Sequence, residues 1–290
     1  MTPGVVLAAL AAVVIWGASP VATKLAVADL APFTVAVLRT VIGGLAAIPV
    51  ALALRIPLPA TSAQRRILVL SGLCGFVFFP VLFSLGVHRT SANHASMILA
   101  CLPLFTGAIA HLWERRLPGR WWWAGCLLAL AGEAVLVGSR AADPGDATLE
   151  GDLIVLGANV FASAGYVAGA RLQRQGYPST GTTFWGAAFP ALLLLPVLPF
   201  LLAGVDVAAV GFDAWAGVAY LAIGVTIVGY VFWYGALGRG GIARMGLFQF
   251  FQPISGVALA AVLLGEGLTP AFLVASAIVL AGVWLALRAR

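Results

Sequence analysis

Residues 4–24 read GVVLAALAAVVIWGASPVATK, and this stretch decides the fold. It carries no charge before Lys24. As a helix rising about 1.5 Å per residue it spans the roughly 30 Å hydrocarbon core of a bilayer. No basic residue precedes it, and it runs on past the length of a leader's apolar core, so it reads as a first transmembrane helix and not as a cleaved signal. In lipid a chain must satisfy its own backbone hydrogen bonds, which makes helix the expected form of every such run. Nine more follow, at 33–54, 67–87, 94–113, 121–138, 152–171, 183–203, 214–237, 244–264 and 271–287. Only 9% of the 290 residues are charged and 62% are hydrophobic, whereas a soluble domain carries about 25% charged residues. The surface of this chain therefore faces lipid.

The charges that remain set an orientation. With the N-terminus placed inside, twelve basic residues fall in inside loops or at the inner terminus: Arg55, Arg65, Arg66, Arg115, Arg116, Arg120, Arg171, Arg174, Arg239, Arg244, Arg288 and Arg290. Three, Lys24, Arg89 and Arg140, fall outside, and Arg39 lies within a span. By the positive-inside rule both termini are expected in the cytoplasm, and the alternation supports an even number of spans. The net charge of +6 is spread thinly between apolar runs, so topology explains it better than nucleic-acid binding does.

Fixed offsets relate the two halves. Pro103 and Pro253 are separated by 150 residues, as are Gly132 and Gly282, while Glu114 and Glu266 each follow an apolar run. The expected fold is all-α and integral to the membrane: ten transmembrane helices as two inverted five-helix repeats around a central cavity. The first repeat covers 1–140, a turn-rich linker 141–151 and the second repeat 152–290. An odd number of spans per unit makes the second copy enter the membrane inverted, with Glu114 inside and Glu266 outside. Transporters are built this way, as are some channels.

Helical spacing gathers polar and aromatic side chains into stripes. Trp16, Ser19 and Thr23 share one, as do Phe76, Phe79 and Phe83, then Asn159, Ser163 and Tyr166, then Thr226, Tyr230 and Trp233, then Gln249, Gln252 and Ser255. Polar faces in a bundle either line a cavity or bind helix to helix. Trp16, Ser19, Phe79, His94, Asn159, Ser163, Tyr166, Tyr230, Trp233, Gln249 and Gln252 are the cavity candidates. His94 opens the fourth span, where an interfacial or hydrogen-bonded role competes with a proton-linked one. Arg39 and Glu133 lie at similar depth within spans and have opposite sign. They form an intramembrane ion pair, or Arg39 anchors a substrate carboxylate. Pro20, Pro80, Pro103 and Pro253 are expected to kink their helices. Cys74, Cys101 and Cys126 sit singly in apolar runs and read as small buried hydrophobes. There is no HExxH, no phosphate-binding glycine loop and no dinucleotide fingerprint, so neither a metal, a nucleotide nor another cofactor is expected.

Trp16-Gly17-Ala18-Ser19 with Lys24, Arg39, and Pro253 with Leu264-Gly265-Glu266 and Ala281-Gly282-Val283 resemble the EamA-type, ten-helix branch of the drug/metabolite transporter superfamily. The resemblance covers nearly the whole chain. The first half departs from it by shortening the interval from proline to glutamate, Pro103 to Glu114. The resemblance implies a basket of helices whose cavity is lined by spans one, three, four, six, eight and nine. It also implies an exporter of amino acids, aromatic and apolar ones included, or of related small metabolites, working by alternating access in a bacterial inner membrane. Export of apolar drugs or nucleobase-like compounds is the first rival. A channel or scaffold that transports nothing is another. An intramembrane enzyme would need convergent ionisable groups at midplane, which the sequence does not supply. The partners expected are a small-molecule substrate and the lipid bilayer.

Overall fold

Among the described residues the apolar runs are carried by helix. The computed structural model describes residues 2–114, 119–139, 147–240, 245, 248–249, 251–265, 267 and 270–288, without the side chains of 114, 133, 136–139, 272, 283, 286 and 287. The side chains of Glu114 and Glu133 and the whole of Glu266 therefore lie outside the described residues. In chain order the helices are α1 (Pro3–Gly17), α2 (Ser19–Asp29), α3 (Pro32–Ala53), α4 (Ser62–Leu73), α5 (Phe79–His88), α6 (Ala92–Ile98), α7 (Leu102–Glu114) and α8 (Arg120–Ser139). Then come α9 (Leu149–Arg174), α10 (Ser179–Leu194), α11 (Leu198–Leu202), α12 (Phe212–Ala219), α13 (Tyr230–Gly240), α14 (Phe251–Leu264) and α15 (Pro270–Arg288). Several join end to end. By length and composition seven continuous helices among the described residues can cross a membrane: Pro3–Asp29, Pro32–Ala53, Ser62–His88, Ala92–Trp113, Leu149–Arg174, Ser179–Leu202 and Phe212–Gly240. Two shorter apolar helical stretches, Phe251–Leu264 and Leu273–Gly282, stand beside them.

Several junctions within these long helices follow from proline. Pro20 enters α2 just after the break at Ala18. Pro80 follows a π-helical stretch, Cys74–Phe78, and Pro103 follows a 3-10 turn, Leu99–Cys101. A proline cannot donate to the carbonyl four residues back, so that acceptor needs another donor. For Pro80 the acceptor is the carbonyl of Phe76, and the Thr40 hydroxyl of α3 donates to it at 2.7 Å. The π turn frees Gly75 as well, because the Phe79 N–H donates one residue further back, to Cys74. The Tyr230 hydroxyl lies 3.4 Å from the Gly75 carbonyl.

Small residues let the backbones approach. α8 packs along α15, and α3 along α10. A Cβ on Gly282 would stand 2.4 Å from the Ala129 amide nitrogen, and one on Gly132 would stand 2.8 Å from that of Val279. The two glycines related by the sequence offset thus meet in one helix crossing that any side chain would force apart. Caps mark the helix starts. Thr61 opens α4 with a reciprocal capping box to Gln64, while the hydroxyls of Ser91 and Thr148 accept the amides of His94 and Gly151. Cys74, Cys101 and Cys126 are buried free thiols.

Candidate functional site

Four aromatic side chains from three helices, α1, α9 and α13, meet near the middle of the bundle. The Trp16 indole stacks on Tyr166 with ring centroids 5.5 Å apart and planes inclined by 10°. Tyr230 meets Trp16 edge-on at 5.0 Å, and Trp233 lies 5.3 Å from it. Tyr166 also contacts both Tyr230 and Trp233, at 6.2 and 5.7 Å. All four are buried. Each good aromatic pair adds about 0.5–1.5 kcal/mol beyond the area it hides, so the cluster is a cohesive cage.

Its orientation is fixed by backbone that has left regular α geometry. The stretch Tyr220–Gly229 is π-helical, and its Val225 carbonyl accepts the Trp16 Nε1–H at 3.1 Å. Gly229 clears the way for the indole, since a Cβ there would lie 2.4 Å from Trp16 Nε1. The Thr183 hydroxyl holds the Tyr230 carbonyl at 3.2 Å.

Against the cage lies a small central space lined by Trp16, Ser19, Phe79, Leu99, Leu102, Tyr166, Val225, Tyr230 and Gln252. Its volume is about 10 Å³, at or below what one water needs. The cage is closed on itself. Several buried polar atoms at and around this centre have no hydrogen-bond partner among the described residues: Ser19 Oγ, Gln252 Oε1, Trp233 Nε1, both ends of the Gln249 amide, and Arg39 Nε and Nη1. Buried polar atoms are nearly always bonded, so this concentration is unusual. A larger cavity of about 280 Å³ opens toward one end of the bundle, between α7 and α9, lined by Trp113, Arg171, Arg174 and Gln175 among others. The Arg171 guanidinium there lies 5.0 Å from the centre of the Trp113 ring.

The sequence candidates separate into three groups. Trp16, Ser19, Phe79, Tyr166, Tyr230 and Gln252 line the central space, and Trp233 backs it. Asn159 and Ser163 spend hydrogen bonds on the broken fourth helix. The 3-10 turn diverts the Leu102 amide to Leu99, and Asn159 Nδ2 donates instead to the Ile98 carbonyl at 2.6 Å. Ser163 Oγ donates to the Leu102 carbonyl and accepts from Thr106. His94 belongs to a third, separate place. Its Nδ1 lies 3.1 Å from Asp152 Oδ2, with both side chains almost fully buried. Thr90 donates to the other carboxylate oxygen, and Lys24 Nζ donates to the Thr90 carbonyl at 2.8 Å. Arg89 and Glu150 form an ion pair beside this layer. Asp152 was not among the candidates, since it opens an apolar run and looks like a loop boundary. The signal that would have found it is an acidic residue in a helix's first turn after a capping threonine, Thr148.

Arg39 is 2% exposed. Its helix, α3, packs on α10 and on the π-helical stretch before Tyr230, whereas α8, which bears Glu133, packs on α15. The Glu133 side chain lies outside the described residues, and with it the expected pairing.

This arrangement, long apolar helices broken around a closed aromatic cage, defines a class: polytopic helical membrane proteins with a buried central site. The EamA-like transporter family model matches residues 3–138 and again 149–288, and the chain belongs to that family. It is 34% identical to "Uncharacterized transporter YdeK" of Bacillus subtilis over 88% of this chain and 86% of that one. It is 28% identical to a "Probable amino-acid metabolite efflux pump" of Salmonella typhimurium over 96% of this chain and 92% of that one. A solved crystal structure with 23% identity superposes at a TM-score of 0.70, covering 100% of this chain and 99% of that one, which extends the likeness of fold across the whole molecule. The chain is a multi-pass membrane transporter, and its family and relatives are transporters rather than enzymes.

Proposed function

We propose that the chain exports amino acids, apolar and aromatic ones included, or closely related small metabolites, from the cytoplasm across a bacterial inner membrane. In this reading ten spans form two inverted five-helix halves, 1–140 and 152–290, joined by the linker 141–151, with both termini cytoplasmic. The halves exchange access to one site near the midplane. Two matches to a single family model, one in each half, support the repeat.

One observation carries the functional reading: six sequence candidates from five helices line the central space, and among them Ser19 Oγ and Gln252 Oε1 are buried polar atoms without a partner. Solute sites of this kind combine apolar walls with a few oriented polar groups. The closed cage corresponds to a state between the two open ones. The buried layer of His94, Asp152 and Thr90, with the half-buried Lys24, seals the outer side in this reading, and the 280 Å³ cavity near Arg171 lies on the cytoplasmic side. The relative named an amino-acid metabolite efflux pump favours that substrate class.

Uptake of radiolabelled solutes into proteoliposomes, screened across amino acids, nucleobases and lipophilic cations, tests the reading. Accumulation of apolar amino acids above the other two classes supports it. Movement of lipophilic cations or nucleobases alone replaces it with the drug or metabolite reading, and movement of nothing leaves a channel or scaffold. Single cysteines placed in each loop of a cysteine-free variant, labelled with an impermeant maleimide, test the topology. Labelling near Arg115 from outside would reject it.

A further inference from the structure

Arg39 is the buried group that the fold leaves least explained. Arg39 lies two turns inside the membrane-crossing helix Pro32–Ala53, is 2% exposed, and holds Nε and Nη1 without a hydrogen-bond partner among the described residues. An arginine cannot shed its charge to escape burial. An unpaired cation at such depth is costly and normally finds a counter-charge. Among the described carboxylates, Glu150 is taken by Arg89, Asp152 by His94 and Thr90, Asp29 accepts the Gly211 amide near the end of its helix, Asp206 accepts the Ala208 amide in a loop, and Asp213 is exposed in the first turn of α12. None of them pairs with Arg39.

The Thr40 hydroxyl, next in sequence to Arg39, and the Tyr230 hydroxyl bond to the adjacent carbonyls of Phe76 and Gly75, so Arg39 and the Tyr230 end of the cage lie at one level of the bundle. Tyr166 and Tyr230 both line the central space. A neutral phenol can donate a hydrogen bond but cannot balance a full positive charge. Arg39 therefore offers its Nε–H and Nη1–H groups beside the cage, with no counter-charge among the described residues. This is the donor set that a carboxylate accepts from, and charge-assisted bonds of that kind are the strong ones.

Resting on the reading of the cage as the solute site, we infer that Arg39 forms a carboxylate subsite at the Tyr230 end of the cage. The apolar body of the solute lies against Trp16, Phe79 and Trp233, and its carboxylate supplies the counter-charge that no described residue gives Arg39. The transporter then selects solutes that join a free carboxylate to an apolar body, and it rejects their amides and amines.

The test compares phenylalanine, phenylalanine amide and phenethylamine as stabilisers of the purified protein against thermal unfolding in detergent, in the wild type, Arg39→Met and Arg39→Lys. The wild type is expected to need at least about tenfold less phenylalanine than amide for the same shift, the worth of one charge-assisted hydrogen bond. In Arg39→Met that ratio falls to about one, and the variant without ligand melts no lower than the wild type, because an uncompensated charge has been removed. A lower melting temperature in Arg39→Met points to a structural partner and overturns the inference, as does a carboxylate preference that survives the substitution. If Arg39→Met does not accumulate, Arg39→Lys decides: a preference weakened several-fold supports the subsite, since the ammonium keeps the charge without the planar fork, and an unchanged preference rejects it. Equal stabilisation of the wild type by all three solutes leaves the cage standing and removes the subsite alone. Stabilisation by none of them removes the amino-acid reading and the subsite together.

Discussion

The layer around His94 and the cage around Trp16 are both buried and both mix polar with apolar groups, yet they treat their polar atoms in opposite ways. In the His94 layer the groups bond to one another: His94 to Asp152, Thr90 to Asp152, Lys24 to Thr90. In and around the cage Ser19 Oγ, Gln252 Oε1 and Trp233 Nε1 lack partners. A satisfied buried network rigidifies what it joins, and a half-satisfied one costs stability. The first region therefore behaves as a closure between α6 and α9, one helix from each family-matched segment. The second carries a deficit that, in the proposed reading, a visiting solute fills. Substitutions should separate the two regions by whether they damage folding or transport.

The largest folding effect belongs to the closure. Removing one partner of a buried hydrogen bond leaves the other unsatisfied, at a cost of about 3 kcal/mol or more where a carboxylate is involved. Asp152→Ala and His94→Ala are each expected to lower thermal stability in detergent by that order. The double variant should lose less than the sum of the two. Additive losses would show that the pair does not act as a unit and would weaken the contrast.

Asn159→Ala comes next. It strips the Ile98 carbonyl of its donor, and an orphaned buried acceptor costs about 1–3 kcal/mol. Transport per folded molecule should change little, because Asn159 braces the broken helix and does not line the central space. A variant that folds like the wild type but transports poorly would move Asn159 into the solute site.

A smaller effect lies between α9 and α10. Tyr177 donates to the Pro57 carbonyl at 2.9 Å, and burial pushes its phenol up to about 12 from an ordinary 10.0. The folded state holds that proton more tightly than the unfolded chain does. The stability this contributes is present below about pH 10 and is lost as pH rises through about 12. Tyr177→Phe is expected to cost about 1 kcal/mol at neutral pH and to flatten that alkaline decline. An alkaline melting curve unchanged by the substitution would contradict it.

Much of this organisation is legible in the sequence, because a bilayer imposes length and apolarity on every span. The stripes through Trp16 and Ser19 and through Tyr230 and Trp233 pointed at the cage, since a period near 3.6 holds over one or two turns. What the sequence concealed is where that period fails. Pro80 marks the break at Cys74–Phe78 but not that it frees the Gly75 carbonyl that Tyr230 meets, and the π-helical stretch Tyr220–Gly229, whose Val225 carbonyl holds Trp16, has no proline to announce it. Asn159 and Ser163 share a stripe with Tyr166, and the stripe alone could not say that their bonds go to backbone released by the break at Pro103. The pairing of Asp152 with His94 joins residues 58 apart, beyond any local pattern.

The smallest folding effect is the most informative one. Ser19→Ala and Gln252→Leu remove polar atoms that bond to nothing among the described residues. Each is expected to leave thermal stability within about 0.5 kcal/mol of the wild type or to raise it. The same variants should slow amino-acid transport in proteoliposomes several-fold when the rate is normalised to folded protein. If both instead lose stability and transport at the wild-type rate, these atoms serve the fold, and the central cage is not the solute site.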